Sequence, residues 1–179
     1  MRKRMSGFAH FLVLLFVASV FCVPARAQKV PPQLQAPAGQ QLILRVQGTG
    51  DQVYVCKTDA AQPPAWSLKA PDAQLSKEGK VIGKHFAGPS WELNDGSRVT
   101  GKAIANVASP DPNSIPWLLV NVVSHEGNGD GVLAWVASIQ RLNTKGGKAP
   151  ASGCDVPHAG QEIRVPYSAD YLFYGSKLE

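Results

Sequence analysis

Gly83-Lys-His-Phe-Ala-Gly-Pro-Ser-Trp-Glu-Leu-Asn-Asp-Gly-Ser97 is the stretch whose reading decides the fold. Apolar alternation flanks it on both sides. Val81 to Phe86 reads as a strand, Gly88-Pro89 breaks it, Ser90 to Leu93 resumes it, and Asn94-Asp-Gly-Ser97 is a strong turn. Two short strands separated by turn chemistry, with no room for a helical turn, point to an all-β chain. Within the first strand Ile82 and Phe86 share the face that a core would claim, and Val81 and His85 take the other.

The rest of the chain repeats this texture. Gln41 to Gln47 alternates, with Leu42, Leu44 and Val46 on one face, and Gln52 to Lys57 is a second strand. Gly48-Thr-Gly-Asp51 between them reads as a hairpin turn. Trp66 to Lys69 is a short strand ended by Pro71, and Asp72 to Lys80 has room for one helical turn. Val99 to Val107 alternates again. Ile115 to Val123 and Val132 to Leu142 are apolar on both parities, as strands covered on both faces are, with Gly127 to Gly131 as a hairpin tip between them. Asn143 to Gly153 is a Gly/Lys/Pro loop. Glu162 to Val165 and the aromatic run Tyr167 to Tyr174 close the chain. The expectation is a single antiparallel β-sandwich or barrel-like domain of about eight or nine short strands, with the choice between sandwich and barrel left open.

Residues 1–27 have the composition of a secretory signal peptide. Arg2, Lys3 and Arg4 precede the apolar run Phe8 to Val23, and Ala25-Arg-Ala27 offers the small-x-small pattern for cleavage after Ala27. The apolar run is short for a membrane span and no basic stop-transfer cluster follows it. A lipoprotein signal at Cys22 would want a small residue where Phe21 stands. The folded domain is then 28–179, and its location periplasmic or extracellular. Removing the leader takes Lys+Arg from 18 to 14 against 13 Asp+Glu, so the formal charge falls from +5 to +1. The basic character belongs to the leader, and nucleic-acid binding is not expected. Cys56 and Cys154 remain, and an exported chain with two cysteines is expected to join them. Closing a loop of 98 residues is worth roughly 4–5 kcal/mol in the chain-entropy description.

Several separate motifs resemble the DUF3455 family: Gln52-Val-Tyr-Val-Cys56, Trp66, Ala70-Pro-Asp-Ala73, Gly83-Lys-His85, Gly88-Pro-Ser-Trp-Glu92, Asp95-Gly-Ser97, Ile115-Pro-Trp-Leu118, Gln140-Arg141, Thr144-Lys-Gly-Gly147, Ala149-Pro150 and Val165-Pro-Tyr-Ser-Ala-Asp-Tyr171. The resemblance covers nearly all of the domain. It implies a functionally uncharacterised secreted or envelope protein of bacteria or fungi, and brings no catalytic residues with it.

The candidate ligand-binding residues are therefore argued from chemistry. His85, Trp91, Glu92 and Asp95 can hold a glycan or another small envelope ligand, with the indole covering an apolar ring face and the carboxylates taking hydroxyls. A plainer reading puts Trp91 in the core, Asp95 on its own turn and His85 on a backbone carbonyl. Two other functions stand beside binding: a hydrolase using His85 with Glu92 or Asp95, and a structural or interaction protein using a free strand edge or the Tyr167–Tyr174 aromatics. His85, His125 and His158 come from three distant segments without ligand spacing, so neither a metal site nor a cofactor is expected. Glu126 to Gly131 imitates half a calcium loop, but Ala137 stands where the loop's closing carboxylate belongs.

Overall fold

The computed structural model describes residues 29–176. The leader, its cleavage point after Ala27 and Cys22 lie outside the described residues. Eight strands follow in order: β1 (Gln41–Asp59), β2 (Gln62–Lys77), β3 (Lys80–Phe86), β4 (Ser90–Leu93), β5 (Ser97–Val107), β6 (Trp117–Gly127), β7 (Val136–Gly146) and β8 (Glu162–Gly175). Each pairs antiparallel with the next, and β8 returns to β1, so the sheet closes into an up-and-down barrel. Of the two expected architectures it is the barrel. Closure removes the exposed edges that an open sheet has to blunt. Among the described residues no helix is long and apolar enough to cross a membrane.

Two expected boundaries are corrected. Gly48 to Asp51 is not a hairpin turn: β1 runs straight through it, pairing with β2 on one side and β8 on the other. Its glycine serves packing instead of turning. A Cβ at Gly48 would stand 2.5 Å from the Tyr171 ring, which occupies that space inside the barrel. Likewise Pro71 does not end a strand and no helical turn follows it. β2 continues to Lys77, because β3 pairs only with Ala73–Lys77, so Pro71 lies where β2 has a neighbour on one side alone. The true turn comes at Glu78-Gly79, both at positive φ, between the paired residues Lys77 and Lys80.

Alternation places the core. Leu44 and Val46 of β1, Leu75 of β2, Trp91 and Leu93 of β4, Val99 of β5, Val120 of β6, Ile139 of β7, and Tyr167, Tyr171 and Phe173 of β8 all point inward and are buried. The lead-in before β1 explains why the segments starting at Ile115 and Val132 read as apolar on both faces. Its short 3-10 turn, Pro32–Leu34, inserts Leu34 against the outer face, where it packs with Trp117, Leu119 and Leu142. Gln140 donates from Nε2 to the Leu34 carbonyl and clamps the segment down. Val132–Trp135, expected as strand, is a 3-10 turn that carries Leu133 into the core.

Cys56 and Cys154 are bonded. The bridge ties the end of β1 to the long connection between β7 and β8. A second tie in the same place is the hydrogen bond from Trp66 Nε1 to the Ser152 carbonyl, 2.9 Å. This disulfide is what an oxidising compartment allows, in keeping with export. Replacing both cysteines by alanine is expected to lower stability by about 2–5 kcal/mol, read as a fall in the urea midpoint. An unchanged midpoint, or two free thiols in the native protein, would contradict the assignment.

Candidate functional site

An up-and-down barrel puts alternate connections at opposite ends. The β1–β2, β3–β4, β5–β6 and β7–β8 connections share one end, together with the disulfide. At the other end the interior is closed by Leu44, Leu75, Leu93, Leu133 and Phe173. At the disulfide end the interior is hollow: a cavity of about 330 Å³ opens between β2 and the β3–β4 connection. Its mouth is formed by Leu68 to Pro71, Gly88-Pro89 and Ala103, and its inner wall by Gln52, His85, Trp91, Val120, Ile139, Arg141 and Tyr171.

His85 and Trp91 meet because they are directly paired across β3 and β4. Their rings stack with centroids 4.3 Å apart and planes 10° from parallel. Tyr171 stands edge-on to both, at 5.2 Å from His85 and 5.9 Å from Trp91. Such aromatic pairs are worth about 0.5–1.5 kcal/mol beyond area burial. The expected facing of β3 is thereby reversed. His85 points inward and is 2% exposed, while Phe86 is only half-buried. The reason is the partner strand: Trp91 must face inward, and Gly83 lets Leu93 come close on the same side.

Nδ1 of His85 donates to the Ser90 carbonyl at 2.8 Å, which leaves Nε2 as a lone-pair acceptor. Burial pulls its pKa down to about 3; the Ser90 bond works against this and the Arg141 charge adds to it. The imidazole is therefore neutral. Tyr171 and Tyr167 share a hydrogen bond of 3.1 Å between their hydroxyls, and burial raises both pKa values. Arg141 donates Nε and Nη2 to the Pro116 carbonyl, at 3.2 and 2.9 Å. Three buried donors have no partner: Nε1 of Trp91 and Nε2 of Gln52 inside the barrel, and Nε1 of Trp117 in the outer cluster with Leu34.

The four candidate residues do not form one group. Glu92, next to Trp91 on a strand, faces outward by alternation and pairs with Lys84 and Arg98. Asp95 sits in the β4–β5 turn. Its Oδ1 accepts from the Ser97 amide at 2.9 Å and hydroxyl at 2.6 Å, and its Oδ2 from the Val132 amide at 2.8 Å. Burial works to raise its pKa, but these hydrogen bonds hold it below the ordinary value. Among the described residues no hydrogen bond or ion pair joins His85 to either carboxylate. The other histidines are elsewhere: His125 bonds the Val136 carbonyl and His158 pairs with Asp155. Among the described residues no three or more His, Cys, Asp or Glu side chains are grouped to hold a metal ion. The aromatics of β8 are not a surface patch, since Tyr167, Tyr171 and Phe173 are inside the barrel.

The chain matches a family described as "Protein of unknown function (DUF3455)" over residues 37–175. The chain belongs to this family. The matched span contains all eight strands and every residue of the cavity wall. No curated protein and no solved structure is detectably similar to it. The family description assigns no activity, so the chemistry of the cavity is the ground for a functional reading. Gln52 and Arg141 were not among the candidates. The sign that pointed to them was polarity on an inward parity: Gln52 follows Leu44 and Val46 on one face of β1, and Arg141 follows Ile139 on β7.

Burial of a neutral imidazole has a pH consequence. With an unfolded pKa of 6.5 and a folded one of about 3, the contribution is complete above about pH 6.5 and is lost as pH falls from there toward 3. It amounts to about 2 kcal/mol between roughly pH 7 and pH 5. His85→Phe, which keeps an aromatic ring against Trp91, is expected to flatten that part of the stability curve. Equal acid sensitivity in denaturant titrations of both proteins would contradict it.

Proposed function

We propose that the barrel is a binding module that takes a small, partly apolar molecule into the cavity at its disulfide end, without turning it over. The observation that carries this reading is the unfilled interior itself. Eight-stranded barrels have an interior just wide enough to be packed with side chains or to hold one small ligand. Here one end is packed and the other is left hollow, within the roughly 300–1,000 Å³ range of small-molecule sites. The walls suit such a guest: Leu68, Pro71, Leu118, Val120 and Ile139 supply apolar surface, and the His85–Trp91–Tyr171 group supplies ring faces. The unpartnered donors on Gln52 and Trp91 supply the few polar contacts that fix orientation.

A glycan is a less suitable guest than a compact apolar molecule, because the carboxylates Glu92 and Asp95 are absent from the cavity wall. The location proposed for this function is the periplasm or the extracellular space, supported by the leader-like residues 1–27 and by the disulfide.

The test uses N-phenyl-1-naphthylamine, a neutral dye that fluoresces in apolar surroundings. Saturable binding to the intact protein is expected, with Ala103→Trp at the mouth weakening it roughly tenfold or more. No saturable binding, or the same affinity in the blocked variant, would overturn the reading.

A further inference from the structure

We infer that the cavity is selective for an organic carboxylate, with the carboxylate at Arg141 and the apolar body against the Trp91 and Val120 wall. This rests on the binding reading above and narrows it to a ligand class. The charge of the lining is the main ground. Its ionisable cations are Lys69 and Arg141, and no Asp or Glu is among the lining residues. Lys69 is already paired with Glu162 outside. Among the described residues, no carboxylate pairs with Arg141. The guanidinium is half-buried at the wall of a largely apolar cavity, with the Pro116 carbonyl as its hydrogen-bond acceptor and no carboxylate balancing its charge.

The charge is felt by titratable groups on and behind the inner wall. Arg141 acts on Tyr54, His85, Tyr167 and Tyr171, in each case favouring the less positive state. The side chain is also positioned in advance: two of its nitrogens are anchored on one carbonyl, and its residue lies directly across from Tyr171 in the β7–β8 pairing. A carboxylate brought to it gains charge-assisted hydrogen bonds without ordering a flexible cation. Gln52 strengthens the case from β1, which only β8 separates from the strand of Arg141. Gln52 is 2% exposed and its Nε2 meets no acceptor in good hydrogen-bond geometry, with the Tyr167 hydroxyl its nearby polar group, so a donor remains for an anion or carbonyl oxygen. His85 stays neutral, so it adds no second cation, and its Nε2 leaves one acceptor for a hydroxyl on the guest.

The experiment compares 2-naphthoate with its neutral counterpart 2-naphthylmethanol, by calorimetry and by displacement of N-phenyl-1-naphthylamine from the full disulfide-bonded chain. Naphthoate is expected to bind roughly tenfold or more tighter than the alcohol, with the gap narrowing at high salt. Arg141→Gln is expected to level the two, and Arg141→Lys, which keeps the charge, to retain the preference. Equal affinities in the unaltered protein, or a preference that survives Arg141→Gln, would overturn the anion assignment while leaving the cavity reading intact. Failure of the dye, the acid and the alcohol alike would overturn both.

Discussion

The pairing of β8 with β1 is the constraint on which the rest depends. Gln41 to Val55 run against Gly175 to Glu162, placing Val46 beside Tyr171 and Gly48 beside Ala169. An open sheet of these strands would have two unpaired edges and one wet face. Closing it creates an interior walled by backbone, open only at the mouth between β2 and the β3–β4 connection, in which each polar group has to find a partner. Most do: His85 on the Ser90 carbonyl, Tyr167 and Tyr171 on each other, and Tyr54 on the Gly147 carbonyl. The few that do not, Gln52 Nε2 and Trp91 Nε1, lie on side chains that line the hollow end. Orphaned donors of this kind are rare enough to call for a guest or water.

The two ends of the barrel divide stability from binding. At the end where β2–β3, β4–β5 and β6–β7 connect, leucines from four segments and Phe173 fill the space, and Asp95 fixes the β4–β5 turn to Val132. At the other end side chains are withheld, and rigidity comes from cross-links: the disulfide, the Trp66 bond to Ser152 and the Arg141 bonds to Pro116. A cavity costs packing energy, and covalent closure of a long loop offsets it by restricting the unfolded chain. That pairing of a hollow with a staple is the physical argument for reading the cavity as a site.

Much of the fold was legible from alternation and turn residues, and the failures are instructive. β3, β4 and β5 stand close to where their periodicity puts them, whereas β8 runs unbroken through Pro166 where two strands are expected. Periodicity splits β1 at Gly48–Asp51 because glycine reads as a turn, whereas Gly48 yields space to a tyrosine ring more than a hundred residues away. Pattern alone ends β2 at Pro71 because proline reads as a stop, and only the uneven overlap of its two neighbours makes it harmless. Barrel against sandwich was beyond local pattern, since closure is a matter of non-local register. Of the candidate site, His85 and Trp91 came together through cross-strand pairing, and Glu92 was lost to simple alternation. Arg141 and Gln52 entered only when the barrel showed which faces look inward.

Closure is most directly tested by nuclear magnetic resonance on the isotope-labelled domain. Cross-strand contacts between the backbone protons of Val46 and Tyr171, and of Gly48 and Ala169, are expected, with the β1 amides between them protected from exchange. Absence of those contacts, with β1 and β8 amides exchanging as fast as unpaired edges, would contradict the closed barrel and the cavity within it.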